Sequence, residues 1–138
     1  MTQTIRELMT ENPRTVSPDQ TIQDAAKIMR DEDTGVVPIT EGDSLAGVIT
    51  DRDIAIRAVA EGRDGAQTTV REIASQDVVT IDPQQDLDEA LRLMAQHQLR
   101  RLPVVEEDGR LVGIVSQADV ARHGDDARTG EVVEQISE

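Results

Sequence analysis

The chain has 138 residues and a formal net charge of −14, from 28 acidic and 14 basic side chains. Such an acidic surface disfavours nucleic acid and anionic membranes, because both bind to clustered Lys and Arg, and we expect neither as a partner. The absence of cysteine excludes disulfides and thiol chemistry, and the absence of Phe, Tyr and Trp requires an aliphatic core. No apolar run is long enough to span a membrane, so we expect a cytoplasmic protein.

The first half of the chain predicts a β-α-β-β-α unit. Thr21 and Asp24 have the spacing of a helix cap, and the apolar residues behind them recur at helical spacing. A polar turn at residues 41–44 separates two apolar runs and predicts a hairpin. In order, the predicted elements are an extended piece at 14–16, a helix from Ile22 to Met29, strands at 36–40 and 45–49, and a helix that Thr50 opens.

The second half restates the first at an offset of about 65 residues. Ile5-Arg6-Glu7-Leu8 returns as Val70-Arg71-Glu72-Ile73, and Val37-Pro38-Ile39 returns as Leu102-Pro103-Val104. The same elements are therefore predicted again: an extended piece at 78–81, a helix capped by Asp86, strands at 101–105 and 111–115, and a helix that Ser116 opens and that ends near Gly124.

Each half is only marginally large enough to bury its own core, so we expect the two halves to fold as a pair. The polar, Gly-rich stretch at 61–66 marks the joint between them. The predicted domains are residues 1–64 and 65–124, followed by a tail at 125–138. Apolar residues near the end of the tail have helical spacing, so the tail either docks as a helix or hangs loose.

One motif occurs in both halves: a strand, then a hydroxyl, then an aspartate three residues later. Thr50 and Asp53 form the first copy, and Ser116 and Asp119 form the second. Helix capping alone would account for this spacing. The same geometry also suits a nucleotide, since the helix start favours phosphate and the aspartate could accept hydrogen bonds from a ribose diol. Both interpretations remain open on the residues alone.

The whole arrangement resembles a pair of CBS domains, a Bateman module. The segments that carry the resemblance are Gly35-Val36-Val37-Pro38-Ile39 and Gly47-Val48-Ile49-Thr50-Asp51-Arg52-Asp53, with their second copies at 97–105 and 111–120. The nearest subtype is the free-standing paired-repeat proteins, the hypoxic-response type among them. The resemblance implies an α/β fold in which two β-α-β-β-α repeats are related by a pseudo-twofold axis.

The resemblance also implies an adenosine-containing ligand in clefts between the repeats: AMP, ADP, ATP, S-adenosylmethionine or NAD, with no required cofactor. Thr50 with Asp53, and Ser116 with Asp119, would bind phosphate and ribose, and Arg52, Arg100 and Arg101 are the candidate phosphate partners. The remaining implied ligand-binding residues flank the adenine or close the clefts; they are Thr15, Val16, Val36, Val37, Pro38, Thr80, Ile81, Leu102 and Pro103.

Two functions from different classes follow. The first is a non-enzymatic sensor in which an adenine-containing small molecule shifts the protein between two arrangements. The second is a ligand-independent homodimer that docks a client enzyme or transporter. An enzyme is not expected, because the sequence holds no nucleophile, base or metal constellation, and the two histidines have no partner at metal-ligand spacing.

Overall fold

The computed structural model describes residues 3–75 and 77–123, and these residues form two compact units. The central unit is continuous from Arg14 to Val78. The split unit joins residues 3–13 to residues 79–123. The predicted tail lies outside the described residues.

In chain order the helices and strands are α1 (Ile5–Leu8), β1 (Thr10–Glu11), α2 (Ile22–Glu32), β2 (Val36–Glu41), β3 (Ser44–Thr50), α3 (Asp51–Ile54), a π-helical turn (Ala55–Val59), α4 (Val70–Ile73), α5 (Leu87–His97), β4 (Arg101–Val105), β5 (Leu111–Ser116) and α6 (Gln117–His123). The long helices and the two hairpins occur in the predicted order, and the short elements α1, β1 and α4 are additional to the prediction. The mixed α/β class is therefore confirmed. Every helix within the described ranges is too short or too polar to cross a lipid bilayer.

The central unit is built on the antiparallel hairpin of β2 and β3, in which Val36 lies opposite Thr50. The chain before α2 adds one parallel bridge to this hairpin, from Val16 to Ile39. The predicted extended piece at 14–16 is thus a single bridging residue rather than a strand. The piece at 78–81 behaves in the same way, with Ile81 bridged to Val104 in the split unit.

The two long helices start as their caps predict. The Thr21 hydroxyl accepts the Asp24 backbone N–H at 3.2 Å, and the Asp86 carboxylate accepts that of Glu89 at 3.0 Å. These bonds satisfy backbone donors that the first turn of a helix leaves without a partner. The caps therefore fix where α2 and α5 begin.

Both long helices end on a residue with left-handed backbone geometry. Asp33 has φ of 52° after α2, and Gln98 has φ of 54° after α5. Each donates its backbone N–H to a methionine carbonyl one turn back, Met29 and Met94 respectively. Glycine normally occupies this position because a side chain there is strained, so each of these ends is held at a cost in stability.

The split unit has a three-stranded sheet in the order β1-β5-β4. Gly113 of β5 lies under β1, because a Cβ atom at this position would stand 2.5 Å from the Met9 sulfur and 2.8 Å from the Thr10 carbonyl oxygen. Any larger residue would therefore have to displace these atoms, of which the Thr10 carbonyl belongs to the backbone. Glycine at this position thus allows the N-terminal segment to pair closely with β5.

A carboxylate bound by two arginines joins α1 to the β4–β5 turn. Glu106 accepts hydrogen bonds from Arg6 at 2.6 Å and from Arg110 at 2.8 Å. These bonds, that of Arg110 foremost, hold the pKa of the Glu106 carboxyl below its ordinary value near 4.5. The residues lie near the surface, so the cluster orients the segment rather than anchoring it.

Each unit has its own aliphatic core, as the composition predicts. In the split unit the core residues are Ile5, Leu8, Ile81, Leu87, Ala90, Leu91, Met94, Leu102, Val104, Val115 and Val120. In the central unit they are Val16, Ile22, Ala25, Ile28, Met29, Val37, Ile39, Ile49, Ala58, Val70 and Ile73. The short helices α1 and α4, which the sequence does not predict, supply two fully or almost fully buried side chains each.

The helix predicted from Thr50 is present, but its second part is π-helical. Ala60 donates its backbone N–H to Ala55, and Arg63 donates to Ala58, in bonds that span five residues. The turn keeps Ala58 fully buried while it leaves Ile56 47% and Val59 69% exposed. These two side chains are therefore presented to solvent directly after Asp53.

Candidate functional site

The first hydroxyl–aspartate pair forms a complete capping box in the central unit. The Asp53 backbone N–H donates to Thr50 Oγ1 at 3.0 Å, and the Thr50 backbone N–H donates to Asp53 Oδ2 at 3.0 Å. The capping role that the sequence allows is therefore confirmed. The box holds both side chains in fixed positions at the junction of β3 and α3.

The second pair forms the same box in the split unit. Asp119 donates its backbone N–H to Ser116 Oγ at 3.0 Å, and the Ser116 N–H donates to Asp119 Oδ2 at 2.9 Å. Here the aspartate is only 5% exposed. The two copies of the motif thus have matching geometry in separate units.

Capping uses only one oxygen of each carboxylate, and the second oxygen differs between the copies. Asp53 Oδ1 has no hydrogen-bond partner within the described residues. Asp119 Oδ1 accepts a hydrogen bond from Arg122 at 2.6 Å. Capping and ligand binding are therefore compatible at Asp53, whereas a ligand at Asp119 has to share the carboxylate with an arginine. Sequence reasoning missed Arg122, although its spacing of three residues from Asp119 within a helix is typical of ion pairs.

One of the strand residues implied by the resemblance lies opposite the hydroxyl residue of each box. Val36 lies opposite Thr50 across the β2–β3 ladder, and Arg101 lies opposite Ser116 across the β4–β5 ladder. The extended pieces approach the two prolines through backbone bonds, since Val16 N–H donates to Pro38 O at 3.1 Å and Ile81 N–H to Pro103 O at 3.0 Å. The predicted residues of each half thus lie within one unit.

Four of the predicted ligand-binding side chains belong to the cores. Val16, Val37, Ile81 and Leu102 are at most 3% exposed. Pro38 and Pro103 are also buried, whereas Thr15 and Val36 are half-buried and Thr80 is exposed. The four core residues can offer a ligand only their backbone groups. Surface for a ligand comes from the half-buried and exposed positions beside them.

The guanidinium groups of the three predicted phosphate partners have no hydrogen-bond or ion-pair partner among the described residues. Arg52 and Arg100 are exposed and Arg101 is half-buried. Each of the other arginines between residues 3 and 123 bonds to a carboxylate, or in the case of Arg57 to the Ile73 carbonyl. In a chain with twice as many acids as bases, arginine side chains without an acidic partner among the described residues are unexpected, and all three lie next to the boxes.

The two copies of the motif also differ at two neighbouring positions. Thr34 Oγ1 bonds to both the N–H and the carbonyl of Val36, at 3.3 and 3.2 Å, where the second copy has the aliphatic Leu99. Asp51 opens α3, where Gln117 opens α6, and the Gln117 Nε2 atom is buried with no hydrogen-bond partner in the described structure. At these two positions the polar side chains of the first copy have hydrogen-bond partners, whereas Gln117 Nε2 of the second copy has none within the described residues.

Known proteins match this chain in both sequence and structure. The family model of the CBS domain matches residues 5–59 and 70–126. The chain thus contains two CBS repeats and belongs to the CBS-domain family. The CBS domain-containing protein YhcV of Bacillus subtilis is 49% identical over 117 residues, which are 85% of this chain and 82% of that protein.

Two solved structures extend the comparison. The crystal structure of Hypoxic Response Protein I, which has two coordinated zinc ions, is 40% identical, with a TM-score of 0.80 over 89% of this chain and 100% of that one. The subtype predicted from the sequence is thereby confirmed. CBSX2 in complex with AMP has a TM-score of 0.73 over 98% of each chain, and at 24% identity it shares the fold alone. Within residues 3–75 and 77–123 of the present chain, no three His, Asp or Glu side chains converge as a metal site would require.

Proposed function

We propose that this chain is a non-enzymatic regulatory module that binds an adenosine-containing ligand beside its two capping boxes. The ligand is AMP, ADP, ATP, S-adenosylmethionine or NAD. In each unit the box aspartate accepts the ribose hydroxyls, and backbone groups near Pro38 or Pro103 flank the adenine. The adjacent arginines can neutralise phosphate where the bound ligand carries it. The aliphatic surroundings bury the base without aromatic stacking, so the affinity is modest.

The observation that carries this proposal is the set of arginine side chains without a partner among the described residues. Arg52, Arg100 and Arg101 are exposed or half-buried in a chain of net charge −14, and none of their guanidinium groups bonds to a described acid. An arginine fork is well suited to phosphate, which it can bind through two parallel hydrogen bonds. CBSX2 shows that this fold accommodates AMP in that protein.

Calorimetry with AMP, ATP, S-adenosylmethionine and NAD tests the proposal. We expect heat of binding for at least one of them. The double variant Arg100→Gln/Arg101→Gln should weaken AMP binding about tenfold, because it removes charge-assisted hydrogen bonds. Arg71→Gln is the matched control, since it removes one exposed arginine that is paired with Asp19 away from the boxes.

The lack of aromatic residues gives a second measurement. Pure protein should be nearly transparent in the adenine absorption band, so a band there indicates a bound nucleotide or contaminating nucleic acid. Mass spectrometry of the released material then identifies the ligand. No heat up to millimolar concentrations of all four compounds would contradict the proposed sensor function.

A ligand-independent interaction module is the second candidate, and the exposed apolar side chains favour it. Ile56 and Val59 are three residues apart on the turn after α3 and are 47% and 69% exposed. Burying both in a homodimer, or against a client enzyme or transporter, would remove apolar surface from water. Sedimentation velocity should then show a dimer that Val59→Glu dissociates, with adenosine compounds having no effect. A monomer at high micromolar concentration would exclude the homodimer.

A further inference from the structure

The two boxes carry opposite charge in their immediate surroundings. We define the first half-site as residues Thr50 to Asp53. The second half-site consists of Ser116, Gln117, Asp119 and the arginines at positions 100, 101 and 122. The first has one arginine, Arg52, against two aspartates. The second has three arginines, at positions 100, 101 and 122, against one aspartate. Equivalent positions of the repeat therefore face a ligand with different electrostatics.

In the first half-site the extra carboxylate belongs to Asp51. Its backbone N–H donates to the Gly35 carbonyl at 2.9 Å, and a Cβ atom on Gly35 would stand 3.0 Å from Asp51 Oδ2. The carboxylate thus occupies the space in which a side chain at position 35 would begin. Gly35 is the counterpart of Arg100, so an acid stands here where the other copy has a base.

In the second half-site an amide replaces that acid. Gln117 donates its backbone N–H to the Arg100 carbonyl at 2.7 Å, which repeats the Asp51 contact. Its side-chain Nε2 is buried without a partner, and a buried unpaired donor is costly unless an acceptor reaches it. Arg101 lies opposite Ser116 in the ladder. The residues paired with Ser116 or next to it thus carry donors, and a phosphate supplies acceptors.

Arg122 adds a competing contact. Its guanidinium bonds to Asp119 Oδ1 at 2.6 Å. The Arg122 side chain remains 68% exposed, whereas the side chain of Asp119 is 7% exposed. The counterpart of Arg122 in the first copy is Ile56, so no arginine at this position bonds to Asp53. A phosphate near Ser116 can attract the arginine and release the aspartate oxygen for the ribose.

From these differences we infer that the two half-sites select ligands by charge. The second half-site takes the phosphorylated form of the adenosine ligand, with Arg122 moving from Asp119 to the phosphate. The first half-site takes an uncharged or cationic adenosine compound and discriminates against phosphate through Asp51. The inference rests on the proposed adenosine binding and adds to it which half-site takes which chemical class.

Amide NMR spectra of the full ¹⁵N-labelled chain, titrated with adenosine and with AMP, test this assignment. Adenosine should shift amides at Thr50 and Asp53, and AMP should shift those at Ser116 and Gln117 at lower concentration. Asp51→Asn should strengthen AMP binding at the first half-site about threefold to fivefold and leave adenosine binding unchanged. A gain of affinity cannot result from misfolding.

Asp43→Asn is the matched control. It removes the same charge from an exposed position in the β2–β3 turn, at the far end of the hairpin from Thr50. It should leave both titrations as in the parent protein. AMP binding equally to both half-sites, or Asp51→Asn acting no more than Asp43→Asn, would overturn the inference and leave the proposed function intact. No shift with either probe would overturn both.

Discussion

Replacing Asp53 by asparagine and by alanine separates the structural role of this residue from its proposed ligand role. The capping bond uses Oδ2, which accepts the Thr50 N–H at 3.0 Å, and Oδ1 has no partner within the described chain. Asparagine keeps one carbonyl oxygen for the cap and replaces the second oxygen by an amide donor. Alanine removes both oxygens.

The expected magnitudes differ for stability and for binding. Asp53→Ala loses the capping bond and should destabilise the protein by about 1 kcal/mol, while Asp53→Asn should stay within about 0.5 kcal/mol of the parent. Both variants lose the carboxylate that the ribose diol would donate to. Hydrogen bonds to a charged group contribute about 1.5–3 kcal/mol, so adenosine affinity should fall about 10- to 100-fold in both.

Far-UV circular dichroism follows stability, because the chain has no tryptophan or tyrosine for fluorescence, and calorimetry with adenosine follows binding. We expect equal losses of affinity in the two variants and a loss of stability in Asp53→Ala alone. If Asp53→Asn bound adenosine as the parent does, the aspartate would be a helix cap and nothing more.

Three further predictions concern stability and use thermal unfolding followed by circular dichroism. Gly113→Ala should destabilise the protein by about 1–3 kcal/mol, because its Cβ would overlap β1. Gly65→Ala, where the Cβ would lie 3.8 Å from its nearest neighbour, should be neutral or slightly stabilising. Equal effects of the two substitutions would contradict the close approach of β1. Gln98→Gly should gain up to about 1 kcal/mol by relieving the positive φ, and a loss would refute that strain. The lowered folded-state pKa of Glu106 contributes stability above pH 4.5 that is lost as the pH falls through that pKa. Glu106→Gln should therefore make the melting temperature depend less on pH in this acid range. An unchanged slope would show that Glu106 does not contribute to the acid dependence.

The local parts of the fold could be predicted because their signals are local. Strand β4 at 101–105 is found at its predicted residues, and β2 extends one residue further than predicted, to Glu41. Alternating or continuous apolar runs beside polar turns determine both hairpins. The four-residue helices α1 and α4 give no periodicity to detect, and they form because Ile5 and Val70 are buried by distant parts of the chain.

The candidate site likewise has parts that local sequence signals predict and parts that depend on the tertiary structure. A spacing of three residues is enough to predict the Thr50–Asp53 and Ser116–Asp119 boxes. Burial is a tertiary property, so sequence could not separate Val37, whose side chain is in the core, from Val36, which is half-buried beside Thr50. The absence of partners for the predicted phosphate-binding arginine side chains among the described residues depends likewise on where the described acids lie, and it could be read only from the structure.

The repeats of the sequence and the compact units of the structure divide the chain at different residues. Helix α4 follows the joint at 61–66, yet Val70 and Ile73 are core residues of the central unit, 0% and 1% exposed. Two such side chains contribute about 3–6 kcal/mol, which is comparable to the whole stability expected of a unit this small.

Two fragments of nearly equal length can therefore distinguish the two divisions. Residues 14–78 retain every core residue of the central unit, whereas residues 1–64 retain the first sequence repeat but lack Val70 and Ile73. We expect the 14–78 fragment to have more helical circular dichroism and a more cooperative melt. A 1–64 fragment that unfolded as cooperatively as 14–78 would show that α4 is dispensable, and the sequence repeat would then be the folding unit.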